Sequence, residues 1–452
     1  MKVRNLFLFF LALIVAVSCN DDDNTDTAKI KAMAKEAYIY AFAAVENNKA
    51  IGQILNSNPN GVNKFNCMTT LATPNDKTVI TPNNDTYYGY AVLDLRYEPV
   101  VISIPEIDDR YFSIQLVDIF TNCPNYVKPI ATGTGMGNYL VAPVDWEGVL
   151  PEGIDKVIPI TSTIVFVLAR TQALVVPDQN ALDLQTKYKI EPLSQFTGGV
   201  APDKTPLEWP AIYSAKTGDV ETFFNIFNYM IQYQVLTDDD VRLMNKYAEI
   251  GLEPGKEFKK ELFDKETWSA IEAGAFEGRE VLSIGTKNTN RNENGWGISP
   301  ECSGKWGTDY LARALVAWQY IYVNTHEEAI YYTGMVDKDM NPLNGAANRY
   351  TITFPPNGLP TPYFFWSLTM YNEEGYLSEN SIKRYILNSS SALNTEADGS
   401  TVLYIQKENP GGGREANWLP APDGAFYVVF RMYGPDDSII SGQYVLPGLE
   451  KK

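Results

Sequence analysis

In TPNNDTYYGYAVLDL, Thr81 to Leu95, a turn runs into a strand. A Pro and two Asn open it. Pro presets φ, while Asn and Asp tolerate left-handed backbone and bond to their own chain. Thr81 to Asp85 is therefore a turn that opens a first β region, and Asn84 and Asp85 are its candidates for contact with a ligand. Short β-rich runs follow, broken by Pro, Gly and Asp: VVISI (Val100 to Ile104), YFSIQLVDIF (Tyr111 to Phe120), NYLVAP (Asn138 to Pro143) and TIVFVLAR (Thr163 to Arg170). Such spacing predicts an antiparallel sandwich from Thr81 to about Val176.

Upstream, Ile30, Met33, Ala34, Ala37, Tyr38, Ala41, Phe42 and Val45 recur at helical steps. They predict one helix from about Thr27 to Leu55, capped by Asp26 or Thr27. Downstream, the helical period returns from Glu221 to about Val323. TDDD (Thr237 to Asp240) has capping-box spacing, with Asp in place of Glu. TWSAIEAGAFEGREVLSIG (Thr267 to Gly285) and TDYLARALVAWQYIYVN (Thr308 to Asn324) read as two further helices. From Tyr350 to Leu446 the runs YTITF, FFWSLTMY, STVLYIQ and AFYVVFRMY are β again. The fold class is mainly β with a helical insert (α+β): helix, β domain, helical middle, β domain. There is no long repeat.

The 452 residues exceed one ordinary core and predict several domains. A net charge of −18 and no cluster of Lys and Arg exclude a nucleic-acid partner. MKVRNLFLFFLALIVAVSC carries Lys2 and Arg4, then an apolar run from Leu6 to Val17, then Ser18 and Cys19. This is a processed signal, too short for a comfortable membrane span. Its end resembles the lipobox of bacterial lipoproteins, which implies cleavage before Cys19, lipidation of Cys19 and an outer-membrane location, periplasmic or surface-exposed. The polar, acidic NDDDNTDT (Asn20 to Thr27) reads as a flexible tether. After cleavage, 35 basic and 55 acidic residues leave −20, because only Lys2 and Arg4 are lost. Cys67, Cys123 and Cys302 remain, enough for at most one disulfide.

Several chemistries fail on the residues. His326 is the only His, no Gly-x-Ser-x-Gly occurs, and no zinc ligand set exists. His326 reads as a helix-end or surface side chain. TGTGMGN (Thr132 to Asn138) precedes a strand and reads as a hairpin turn rather than a phosphate loop. DKDMN (Asp337 to Asn341) alternates oxygen ligands as a calcium loop does, but Pro342 and Asn348 replace the residues such a loop needs. It reads as a polar hairpin; no metal or cofactor is expected.

Aromatic residues are the stronger hint. Trp366, Tyr371, Trp418 and Tyr433 are placed either to line a groove that stacks on sugar rings or to fill a sandwich core, the commoner use. Arg110, Arg170, Arg349, Arg384 and Arg431 sit in or beside strands. Buried Arg needs a partner, so these pair with acids such as Asp85 or Asp118, or hold an anionic ligand.

TPNNDTYYGYAVLDL, PEIDDRYFSIQLVDIFTN and YLVAPVDWEGVLPEG resemble the bacterial domain of unknown function 1254. YLARALVAW, EEAIYY, PLNGAANRYTITFPPNGLPTPYFFWSLTMYNEEGYL, KRYIL and NWLPAPDGAFYVVFRMYGP resemble its partner, the domain of unknown function 1214. The resemblance implies a β-sandwich, a helical middle and a C-terminal jelly-roll-like β-sandwich, with no settled activity. Many relatives carry an Arg in the Gly-rich turn that is GTGMGN here. Expected boundaries are signal 1–18, lipidated Cys and tether 19–27, first β unit with its helix 28–200, helical middle 201–325 and jelly-roll-like domain 326–452.

The expected function is that of an envelope lipoprotein binding a small molecule or glycan between its β domains. Its expected site is Asn84, Asp85, Arg110, Tyr111, Trp366, Tyr371, Arg384 and Trp418, all at strand ends and turns where side chains converge. One alternative is a hydrolase or lyase using Asp85 or Asp109 with Arg110. Another is a self-assembling jelly-roll protein, and a homo-oligomer stays open. Expected partners are thus the membrane, through Cys19, and a small ligand.

Overall fold

The computed structural model describes residues 20–58, 61–77, 80–127, 136–285 and 291–452, without the side chains of 20–25, 291 and 292. The signal, Cys19 and most of the Thr132–Asn138 turn lie outside the described residues. The first helix runs Asn20–Ser57, so the acidic segment read as a tether is helical. Acidic residues at a helix start suit the helix dipole.

That helix is the spine of the molecule. Its apolar stripe, from Met33 to Val45, is buried against the helices Val220–Ile231, Lys265–Gly285 and Tyr310–Tyr320. AGAFEG places Gly274 and Gly278 one turn apart on the face that meets it. A Cβ at Gly274 would overlap the Lys31 carbonyl, and one at Gly278 would lie 2.9 Å from the Lys35 carbonyl. Only glycine permits this approach. The helix Asp238–Tyr247 begins with both halves of the capping box between Thr237 and Asp240. Among the described residues no helix is long and apolar enough to cross a membrane.

The first β domain is a sandwich. Its five-stranded sheet has the order Asn66–Cys67, Thr86–Asp94, Ile164–Gln172, Phe112–Val117, Asn125–Val127. Its four-stranded sheet has the order Lys156–Ile160, Gly137–Pro143, Val100–Ile104, Lys189–Pro192. Leu93, Ile102, Ile114, Val141 and Val167 fill the space between them. The outer face of the five-stranded sheet divides in two. Val92, Val117, Phe166 and Leu168 join the core of the helices. The helical middle therefore shares a core with the N-terminal helix and with this sheet.

The second sandwich begins earlier than its expected start. Its six-stranded sheet has the order Arg291–Glu293, Trp296–Ile298, Ala329–Gly334, Phe426–Tyr433, Phe365–Asn372, Ile386–Asn388. Facing it are Trp418–Pro420, Thr401–Gln406, Tyr350–Phe354 and Glu450–Lys451. Trp366, Leu368, Phe430, Ile352 and Leu403 form its core. Strands alternate their side chains between faces. The partners of Trp366 and Phe430 on the other face, Ser367 and Arg431, therefore point out of this sandwich, toward the first domain.

Candidate site between the two sandwiches

The two sandwiches meet through the polar half of one sheet and the outer face of the other. Each sheet centres an arginine in the meeting face. Arg170, on an inner strand of the first sheet, is in register with Tyr88 on one neighbour and Ser113 on the other. Arg431, on an inner strand of the second, is in register with Tyr331 and Ser367. Both rows read tyrosine, arginine, serine. Asn324 bridges them: its Oδ1 lies 3.2 Å from Arg170 Nη1, and its Nδ2 donates to the Tyr331 hydroxyl at 2.6 Å.

The Thr81–Asp85 turn straps the second row. The Thr81 carbonyl accepts from Arg431 Nη2 at 3.3 Å, and Tyr371 donates to the Pro82 carbonyl at 2.7 Å. Asn83 Nδ2 donates to the Tyr433 hydroxyl at 2.6 Å, and Ser367 donates to Asp85 Oδ2 at 2.7 Å. Locally the turn is held as its composition predicts. Asn83 Oδ1 accepts from the backbone N–H groups of Asp85 and Thr86. Thr81 has a positive φ of 55°, a conformation costly for a β-branched residue.

Residues 62–192 match the family model described as "Protein of unknown function (DUF1254)", and residues 328–437 match "Protein of unknown function (DUF1214)". Together they span more than half of the chain, in that order. The chain belongs to this paired-domain family. No curated protein matches it. Among solved structures it resembles the VPA0106 protein from Vibrio parahaemolyticus, at 24% identity and a TM-score of 0.73, over 94% of this chain and 100% of that one. A weaker likeness is to an uncharacterized protein from Burkholderia cenocepacia, at 13% identity and a TM-score of 0.46, over 95% and 96%. The first likeness concerns the fold.

The polar layer described above lies where the DUF1254 and DUF1214 sandwiches face each other. Asp85, Tyr111 and Tyr371, of the eight expected residues, come together there. Tyr111 is fully buried; its hydroxyl contacts Glu328 and the Ser113 hydroxyl, and its ring packs on Phe365 and Tyr433. Asn84 turns away to bond the Ala72 carbonyl. Arg110 is spent inside the DUF1254 domain, on Asp108 at 2.6 Å and Asp178 at 2.9 Å, while Asp109 is exposed. Trp366 faces the DUF1214 core, stacked on Phe430. It lies five residues from Tyr371, an odd step, so the two share no face. Trp418 and Arg384 sit together elsewhere in this domain, Arg384 donating to the Trp418 carbonyl at 2.9 Å.

The decisive residues left out of the expected site are Asn83, Arg170, Ser367, Arg431 and Tyr433. The parity of AFYVVFRMY gives a signal for them: Arg431 and Tyr433 share a face opposite Phe430 and Met432.

The electrostatics of the layer are unusual. Arg170 and Arg431 are both buried, yet neither has a carboxylate within ion-pair distance among the described residues. Arg170 bonds Gln115 Oε1 and Asn324 Oδ1; Arg431 bonds the Thr369 hydroxyl, the Tyr371 hydroxyl and the Thr81 carbonyl. Burial alone lowers a guanidinium pKa, but the groups around both arginines more than offset it, and both stay charged. Burial pushes the Asp85 carboxyl up to about 6, against the pull of Ser367, Arg431 and Asn388. The Asp85 Oδ1 and Thr86 Oγ1 atoms are buried there without a hydrogen-bond partner. Buried polar atoms of this kind usually hold water or a ligand.

Two shallow pockets lie elsewhere. One, of about 230 Å³, is lined by Ser299, Glu301, His326 and Tyr332. His326 is buried in a turn, neither at a helix end nor on the surface. Its Nε2 lies 3.0 Å from the Ser299 carbonyl and 3.2 Å from the Ser299 hydroxyl. In the 337–341 turn, Asp337 Oδ1 accepts from the backbone of Asp339 and Asn341. Among the described residues no three metal-ligating side chains converge. Cys67, Cys123 and Cys302 are free thiols.

Proposed function

We propose that the protein binds a small polar molecule between its DUF1254 and DUF1214 domains. One observation carries the reading. Both sandwiches turn a polar face, built on a Tyr–Arg–Ser row, toward the other, whereas their inner faces are apolar. Burying two arginines that have no carboxylate in direct contact costs desolvation and is worth retaining where an anionic ligand completes them. Tyr88 and Tyr331 keep partial exposure beside the two arginines and mark the open side of the layer.

A thermal-shift screen of the full chain in detergent, against sugars, sugar acids and phosphate esters, tests this. A ligand of the native state raises the melting temperature, by about 2.7 kcal/mol of stabilisation at 100 times its Kd. Tyr331→Ala abolishes the shift if the site is the interdomain layer. A shift that survives Tyr331→Ala with native folding moves the site elsewhere. The proposal includes a lipid anchor at Cys19, on the N-terminal sequence alone. Metabolic labelling with a fatty acid, lost in Cys19→Ser, checks it.

A further inference from the structure

The interior chemistry also names a ligand class, an inference that rests on the binding reading above. Arginines inside this chain are paired in more than one way. Arg110 receives two carboxylates, Asp108 and Asp178, in direct contact. Arg96, half-buried, chelates Asp94 at 2.8 Å. Arg170 and Arg431 are buried with only neutral oxygens as direct partners. Arg313, in the helical core, also lacks a carboxylate, but it donates to the Tyr40 carbonyl and packs among the rings of Tyr40, Phe120 and Tyr310, whereas Arg170 and Arg431 face each other's sheet in a polar layer. The layer does hold acids, Asp85 and Glu328. Asp85 takes the Ser367 hydroxyl, and Glu328 takes the Tyr111 hydroxyl.

Two features aim the arginines at a common occupant. They centre equivalent rows of the two facing sheets, and Asn324 and Tyr331 link those rows. The weakest bond to either guanidinium is replaceable, since the Thr81 carbonyl reaches Arg431 at 3.3 Å from a strap with strained backbone. Guanidinium binds carboxylate and phosphate oxygens through two parallel donors, roughly twice as strongly as it binds neutral acceptors.

We infer that the interdomain layer selects an oxyanion, a carboxylate or phosphate monoester on a small polar molecule, held jointly by Arg170 and Arg431 between Tyr88 and Tyr331. The anion displaces the Asn324 and Thr81 oxygens from the guanidiniums and leaves the Tyr–Ser ends of the rows to contact the rest of the molecule.

Matched probes test this by calorimetry and thermal shift on the full chain in detergent: galacturonate against galactose, and glycerol 3-phosphate against glycerol. The expected result is that an acid of one pair binds at least about tenfold more tightly than its neutral twin. The carboxylate and phosphate arms show which oxyanion is favoured. Arg170→Gln and Arg431→Gln each remove that preference, while Arg431→Lys, which keeps the charge, retains part of it. Circular dichroism confirms that the variants fold; if a Gln variant does not, the Lys variant and the matched pairs still decide. Equal binding of acid and neutral twins, lost in Tyr331→Ala, overturns the anion inference and leaves the binding site standing. Acid-selective binding unchanged in the folded Gln variants overturns it too. No binding of any probe overturns both.

Discussion

Arg110 and Arg431 are each 3% exposed, and the chain treats them in opposite ways. Inside the DUF1254 sandwich, Arg110 is clamped by Asp108 and Asp178. Asp178 in turn caps the helix Gln179–Gln185 and accepts from the backbone of Leu174. Between the sandwiches, Arg431 and Arg170 rest on hydroxyls, amides and a carbonyl. The first arrangement fastens a loop to a sheet. The second ties the Thr81 turn to a sheet through hydrogen bonds to neutral groups, with no carboxylate in ion-pair contact. The difference separates an arginine neutralised in direct contact from two whose charge is met by neutral oxygens alone, which is the contrast the proposed binding rests on.

The largest effect expected bears directly on that contrast. Arg110→Met strands the buried carboxylate of Asp178 and lowers stability by about 3–5 kcal/mol. Arg431→Met leaves no carboxylate without its ion-pair contact, and its cost is about 1–2 kcal/mol. Urea unfolding of the two variants beside the wild type measures both. Equal losses would erase the distinction.

Asp85 gives the next largest effect. Its folded pKa, about 6, is above that of the unfolded chain, so the folded state binds the proton more tightly. Stability therefore falls as pH rises from about 4 through 6 and is level above that, a change on the order of 3 kcal/mol. Asp118 and Glu46, also raised by burial, act in the same sense. Carboxyls held low by partners, Asp108 and Asp178 among them, lose their contribution only at lower pH. Melting temperatures of wild type and Asp85→Asn between about pH 7 and 5 isolate the effect. The wild type gains on acidification, and the variant gains less. Parallel curves would remove Asp85 from the interdomain electrostatics.

Tyr111→Phe deletes the hydroxyl that touches Glu328 and Ser113 and is expected to cost about 1–2 kcal/mol. A calorimetric scan reads it, and no loss would show that the layer has slack at this point. Thr237→Ala, in the helical region, removes half of a capping box and costs about 1 kcal/mol. Its denaturation midpoint sets the scale of an ordinary local contact, far from both arginines.

The order of elements was legible because period is local. Helix and strand runs, the cap at Thr237 and the turn at Thr81–Asp85 each follow from neighbours within a few positions. The start of the second sandwich was not. Its strands Arg291–Glu293 and Trp296–Ile298 are three residues long, too short for alternation to show. Of the site, Asp85, Tyr111 and Tyr371 were reached because they border turns. Trp366, Trp418 and Arg384 were chosen by residue type, and type says nothing about which face a strand buries.

TPNNDTYYGYAVLDL carries both halves of that lesson. By itself the sequence determined that a turn sits here and that a strand follows, since Pro and Asn restrict their own backbone and Tyr and Val favour the pleat. It also determined that Arg431 and Tyr433 share a face. Only the tertiary structure decided that the turn lies across the second domain's sheet, bonded to Tyr371, Tyr433, Ser367 and Arg431. The physical reason is range. Backbone preference acts between adjacent residues, whereas the partners of this turn lie 282 to 350 positions along the chain and are brought to it by the packing of two separate cores.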